Sequence, residues 1–241
     1  AIALVRSGAP LIPSFAFLFL IQNSGKYMLE RMRGLDDLGV FNVGFSVGSA
    51  MDLAVSAFCT AWFPFFQSFS SKKNEAGPLF GRVTLYYVLG FASISMCFFA
   101  VARPFCEYFV NRLYLDGYKT IAVVSAASFA SGFFYMFLPG VYYAKKVWLV
   151  SLTQGACCVL ILGLNYILIL CFGMTGVAMA LVCCHALMGA GQYFVNRSLG
   201  LWSHPCDWGR IGLFLLKYLL FAAAFILLSH MLPAHLYLAV A

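Results

Sequence analysis

Long apolar runs separated by short polar stretches set the pattern of this chain. The runs lie near residues 10–28, 39–67, 84–106, 119–142, 147–171, 174–196 and 211–231. Each approaches the roughly 20 apolar residues that a helix needs to cross a hydrocarbon core of about 30 Å. Within a run the apolar positions are continuous rather than alternating, which does not suit the dyad-patterned strands of a membrane barrel. The pattern predicts an all-α, polytopic membrane helical bundle.

The polar connections predict how the helices alternate. Residues 70–82 (SSKKNEAGPLFGR) form a polar segment with Gly and Pro, 144–146 a tight basic turn, and 196–210 a basic loop with two Trp. Placed on one side with Arg6, they carry about eight Lys or Arg, against about six on the other: Lys26, Arg31, Arg33, Arg103, Arg112 and Lys119. The excess puts the first set in the cytoplasm. Trp62, Trp148, Trp202 and Trp208 then fall at the same interface, as an aromatic belt would.

Composition agrees with this reading. The chain has 241 residues, 63% hydrophobic and 10% charged, far from the roughly 25% charge of a soluble domain. A net charge of +7 would suggest nucleic acid in a soluble protein. Here the basic residues sit at span ends, so no nucleic-acid partner is expected. The first residue is not Met, no signal-peptide pattern is present, and the sequence closes on the apolar HLYLAVA; the expectation is a fragment of a longer chain. The nine Cys lie mostly inside the runs without CxxC spacing and read as small packing residues. The nearest approaches to a metal site are Cys184–His185 and His204-Pro205-Cys206-Asp207. Neither pattern calls for a metal, and no cofactor is expected.

The second run contains FSVGSAMDLAVSAFCTAWFPFFQ, residues 45–67, with Asp52 near its middle. At 100° per residue the acid shares a face with Gly44, Gly48, Ser49, Ser56, Cys59, Thr60 and Gln67. Val43, Val47, Ala50, Ala54, Phe58, Ala61 and Phe65 take the opposite face, toward lipid or apolar neighbours. A carboxylate at this depth costs at least about 2.5 kcal/mol and is expected to face the bundle or a watery cavity. Asp52, with Ser49 and Ser56, is therefore the candidate for a cavity or ion-coupling site. A structural acid held neutral, or a partner to a basic residue elsewhere in a longer chain, are the other readings. Pro64 is expected to bend the helix near one end. Lys217, about two turns into the last run, either snorkels to the headgroups or faces a groove. The Gly- and Ala-rich stretch 173–191 suits close packing, with His185 as a satisfied polar residue or a proton relay.

A family resemblance rests on these same segments. The run Gly25-Lys26-Tyr27-Met28-Leu29, then Gly39-Val40-Phe41, then Ala61-Trp62-Phe63-Pro64-Phe65 resembles the order of motifs in bacterial polysaccharide flippases. These are the O-antigen (Wzx-type) transporters of the multidrug/oligosaccharidyl-lipid/polysaccharide exporter superfamily. The turn Ala144-Lys145-Lys146, Leu164-Asn165, and Phe172-Gly173 followed by Gly176 and Ala178 are similar to further motifs there. Gly25 and Lys26 stand where the family has Asp-Arg, Phe45-Ser46 where it has Tyr-Lys, and Leu170-Cys171 lacks its Pro.

The resemblance implies a transporter of two six-helix lobes that open alternately to each side of the membrane. Residues 1–200 would be the C-terminal lobe, with 201–241 adding one helix and the start of another; the N-terminal lobe would be missing from this sequence. The implied substrate is an oligosaccharide on undecaprenyl pyrophosphate, moved across the cell inner membrane among membrane lipids and coupled to a proton or sodium ion. Lys26, Arg31 and Arg33 are candidates for the phosphates, or else ordinary interfacial anchors. The alternatives are a drug or small-cation exporter of the same superfamily, and a membrane enzyme acting on polyprenyl phosphates. No catalytic constellation is present for the last, so no enzyme is expected.

Overall fold

The computed structural model describes residues 12–202 and 204–231, and the side chains of all these except 73, 74 and 226–231. Among them every regular element is helical: α1 (Ile12–Arg33), α2 (Leu35–Gly48), α3 (Ala50–Ser68), α4 (Lys73–Phe109), a 3-10 turn (Arg112–Gly117), α5 (Tyr118–Met136), α6 (Leu138–Tyr143), α7 (Trp148–Phe172), α8 (Met174–Ser198) and α9 (Trp208–Met231). Six segments are long and apolar enough to cross a membrane, within 35–68, 75–109, 112–143, 148–172, 174–198 and 208–225. This is a multi-pass helical bundle. The described part of expected span 10–28, from Ile12 onward, is a continuous helix but is not one of the six. The polar run Gln22-Asn23-Ser24-Gly25-Lys26 interrupts its apolar character. Arg6 and the start of a further helix in 232–241 fall outside the described residues.

The bundle is organised around α5. Of the apolar part of its span 78% is buried, against 22–50% for the other five. Its sequence explains this: TIAVVSAASFASGFF is mostly Ala, Ser and Gly, so neighbouring backbones come close. Helices α8, α4, α2 and α3 all pack against it, while α1 rests on α7 and α9 on α4. At Gly132 of α5 the hydroxyl of Tyr87 occupies the space a Cβ would need and donates to the Phe129 carbonyl at 2.7 Å. Polar contacts tie other helices together within the apolar interior. Ser95 of α4 meets Tyr218 of α9 at 2.9 Å and Ser125 of α5 at 3.1 Å, and Asn165 of α7 donates to Ser24 of α1 at 3.2 Å. Such bonds contribute on the order of 0.6–2 kcal/mol each inside a membrane.

Three local expectations are corrected. Only residues 70–72 of the polar segment 70–82 form a turn: α4 begins at Lys73 and runs 37 residues, about 55 Å at 1.5 Å per residue. Its polar first turns therefore continue the helix past the apolar span. The second expected span is two helices, interrupted at Ser49 rather than at Pro64, through which α3 continues. The hydroxyls of Ser46 and Ser49 bond back to Asn42 and Ser46 carbonyls, and such back-bonding competes with the helical ladder. Trp62 is not a belt residue. Trp62 is 2% exposed and donates its indole N–H to the Tyr135 carbonyl at 3.0 Å, so it belongs to the core.

Trp62 begins an aromatic nest at one end of the bundle. Phe80 of α4 is fully buried, with ring centroids 5.1 Å from Trp62 and 5.5 Å from Trp202. The connection between α8 and α9 closes over it. His204 lies flat on Phe137, 5.7 Å between centroids, with Nε2 2.9 Å from the Thr84 hydroxyl. Burial lowers the His204 imidazole to about 4, so the ring is neutral at neutral pH. Cys206, half-buried beside it, is pushed up to about 12 by desolvation, and Asp207 pairs with Arg210 at 3.1 Å. The three residues are engaged separately. No group of three or more His, Cys, Asp or Glu placed to hold a metal occurs among the described residues.

Candidate functional site

Helix α3 is two-sided, and Asp52, Ser56, Cys59 and Thr60 of the predicted polar face all line one space. Met51, Val55, Cys59, Trp62 and Phe66 make its buried stripe, repeating at three and four residues as a packed helix face does. Phe58 and Phe65 also pack inward, against Tyr87 and Phe80. Gly44 and Gly48 belong to α2 and press on Gly117 of the 3-10 turn and on Thr120, Ile121 and Val124 of α5. The contacts continue in register across Ser49, from Gly44 at Thr120 and Gly48 at Val124 to Asp52 at Ser128. What remains on the open side of α3 is Asp52, Ser56 and Thr60, three residues at i, i+4 and i+8.

These three residues line a cavity of about 410 Å³ that is open on one side. Helix α1 contributes Leu18 and Gln22, α5 contributes Ser131 and Tyr135, and α8 contributes His185 and Met188. Each of these three helices presents a pair one turn apart, the spacing at which helical side chains meet. Four helices distant in sequence thus converge on one polar space with partly apolar walls formed by Leu18, Val55, Phe63 and Met188.

The polar groups of this space have a definite sense. Asp52 is held by a side-chain hydrogen bond with Ser128 of α5. Ser56 donates its hydroxyl to the Leu53 carbonyl at 3.0 Å, Thr60 to Ser56 at 2.8 Å and Ser131 to Ser128 at 2.7 Å. Their protons are occupied within their own helices, so they offer lone pairs to the cavity. His185 is 7% exposed, touches the Ala127 backbone, and its Nδ1 makes no hydrogen bond. No Lys or Arg lines the space. The site is therefore rich in acceptors and carries the one carboxylate.

Sequence-derived candidates divide. Asp52 and Ser56 are brought together in the cavity. Ser49 is not in its lining; its hydroxyl faces the Ser46 carbonyl at 3.1 Å. Lys26 stands over the Phe45 ring at 3.8 Å, a cation–π contact. Arg31 and Arg33 are exposed in the last turn of α1, where they complement the helix dipole. Lys217 is exposed on α9 beside Leu213, Leu216 and Leu220, away from the cavity. Sequence reading missed Gln22, Ser131 and Tyr135. The available signals were the polar run at 22–26 inside a span and the Ser125, Ser128, Ser131 series at intervals of three. A second hollow of about 440 Å³, between Phe17 of α1 and Trp148 to Val159 of α7, is almost wholly apolar.

Residues 1–70 match the family model described as polysaccharide biosynthesis protein. The matched segment contains α1, α2 and α3, and hence Gln22, Asp52, Ser56 and Thr60. With the six membrane-crossing segments it supports a multi-pass membrane protein of the polysaccharide-biosynthesis type, consistent with a membrane transporter. No curated protein and no solved structure matches the chain.

Proposed function

We propose that this chain is the C-terminal lobe of a transporter that moves an undecaprenyl-pyrophosphate-linked oligosaccharide across the bacterial inner membrane by alternating access. A proton or sodium gradient drives it. One observation carries this reading: the segment matched to polysaccharide biosynthesis proteins supplies two of the four helices around a polar, carboxylate-bearing cavity within an apolar bundle.

The parts have complementary chemistry. A polyprenyl tail travels in lipid or along an apolar surface, which the exposed Leu, Ile and Phe of α1, α7 and α9 provide. Pyrophosphate calls for cations at the membrane border, the role assigned to Arg31 and Arg33, with Lys26 deeper on the same helix. Asp52, exposed in an open cavity, is placed for ion coupling, with Ser56 beside it. The second reading, a small-cation exporter, is favoured by the acceptor-rich lining alone.

The test is complementation of a flippase-deficient strain by the full-length protein. Wild type restores surface polysaccharide, and Asp52→Asn and Asp52→Ala lower it by an order of magnitude or more. Full restoration by both variants removes Asp52 from transport. Failure of the wild type, with altered drug sensitivity of a deletion strain, supports the exporter reading instead.

A further inference from the structure

We infer that the hollow between α1 and α7 binds one anionic glycerophospholipid, its headgroup on Lys145 and Lys146 and one acyl chain in the hollow. This goes beyond the transport reading and does not depend on it.

The hollow has the form of a trough for a chain. Trp148, Leu152, Gly155 and Val159 stand at i, i+4, i+7 and i+11 on one stripe of α7. Trp148, Leu152 and Val159 are each more than half exposed, so the stripe turns away from the bundle interior. Gly155 and the exposed Ala156 leave a gap between these larger side chains. Phe17 of α1 forms the other wall, with a ring carbon 3.1 Å from where a Gly155 Cβ would stand. Its neighbour Leu18 and then Gln22 line the polar cavity instead, so the two spaces are separate. From Trp148 to Val159 the helix rises about 16 Å at 1.5 Å per residue. Half of a hydrocarbon core of about 30 Å is about 15 Å. Because the span of α7 begins at Trp148, the trough runs from the membrane border to the midplane, the depth of one leaflet.

The border end supplies charge. Lys145 and Lys146 are exposed just before Trp148, and among the described residues neither pairs with an acid. The N-terminal end of α7 adds its positive dipole on the same side. The backbone marks Lys145 as unusual. Helix α6 ends in a Schellman motif, in which the Lys145 and Lys146 N–H groups donate to the Tyr142 and Val141 carbonyls at 3.0 and 3.1 Å. Helix α8 ends in the same motif, with Gly200 and Leu201 donating to Arg197 and Asn196 at 3.2 and 2.8 Å. The left-handed position is Gly200 in α8, at φ 59°, and Lys145 in α6, at φ 55°. Glycine takes that conformation without strain and lysine does not. Among the described residues no other non-glycine residue has a positive φ. A left-handed lysine at the head of an open apolar trough is accounted for by an anion for its ammonium to hold.

The occupant follows from the two ends together. Two unpaired ammonium groups beside an interfacial Trp call for an anion at headgroup level. One leaflet's depth of apolar wall calls for a chain joined to it. A free phosphate leaves the trough unfilled, and a zwitterionic lipid brings its own cation against the lysines.

The experiment uses the full-length protein in a neutral detergent. Dioleoylphosphatidylglycerol is added and compared with dioleoylphosphatidylcholine, which carries the same chains. Melting temperature is read together with the intact mass of the protein and its retained lipid. Expected is a melting temperature about 5 °C higher with the anionic lipid, and one such lipid held per chain. Lys145→Gly with Lys146→Gln removes that gain, while the lipid-free protein melts about 2 °C higher because glycine suits the left-handed position. Lys145→Arg with Lys146→Arg keeps the gain. Ala156→Phe, which fills the trough from its exposed side, removes the gain and leaves the lipid-free melting unchanged. A gain equal for both lipids, or one that survives loss of both lysines, overturns the headgroup site. A gain that survives Ala156→Phe, or that glycerol phosphate alone reproduces, overturns the chain site, since the anion then binds only at the surface. Ala156→Phe that melts several degrees lower without lipid, or that splits a dimer into single chains, gives the trough to protein in place of a lipid.

Discussion

The aromatic nest and the polar cavity are built on the same helices, α3 and α5, and differ in what fills them. Toward the C-terminal end of α3, Trp62 and Phe66 are at most 2% exposed, and the Tyr143 hydroxyl donates to the Phe66 carbonyl. Two to three turns earlier, Asp52 and Ser56 face open space. Large rings close the first region, whereas small hydroxylated residues and one acid leave the second unfilled. The difference separates two tasks along one helix, fastening at one end and access for small solutes at the other.

That contrast can be broken at its strongest point by Trp62→Ala. Removing a buried ring and an indole hydrogen bond is expected to cost about 3–5 kcal/mol, seen as a large loss of thermal stability in detergent. Acid comes next. A neutral His204 held near 4 in the fold, against about 6.5 when unfolded, leaves stability complete above the unfolded value. Stability then falls as pH drops from about 6.5 to about 4, by up to about 3 kcal/mol. His204→Gln flattens that acid limb in a pH series of melting curves. By comparison, Asp52→Asn is expected to change stability by no more than about 0.5 kcal/mol, because the side chain faces open space, while surface polysaccharide falls. A large stability loss in that variant would place Asp52 with the nest rather than with the cavity. The smallest effect is expected for Lys217→Leu on the outer face of α9. Melting and complementation should both match wild type.

The helical passes were legible because a bilayer demands long apolar segments whatever their partners are. Asp52 was legible for the same reason, as the costly exception, and Ser56 followed one helical turn later. The rest of the cavity was hidden in α1, α5 and α8, whose Ser, Gly and Gln serve equally for close packing or for lining a space. Tertiary contact alone decides between those uses. The interruption at Ser49 was not legible, although counting 100° per residue across it groups Gly44, Gly48 and Asp52, all three of which meet α5. Polar residues 70–82 read as a loop because polarity and Pro–Gly content suggest one, yet a helix standing past the apolar layer is polar too. Trp62 read as a belt residue because its place near a span end is the belt's position, and only its bond to Tyr135 shows otherwise.

The length of α4 has a bearing on orientation. Its first turns carry Gly81, where the Pro205 carbonyl packs into the space of a missing Cβ, and Thr84, where His204 is seated. The start of α4 and residues 204–207 are thereby fastened in one compartment. Which way the chain is threaded becomes a one-bit question, and a membrane-impermeant thiol reagent on a cysteine placed at Leu79 answers it for both segments together.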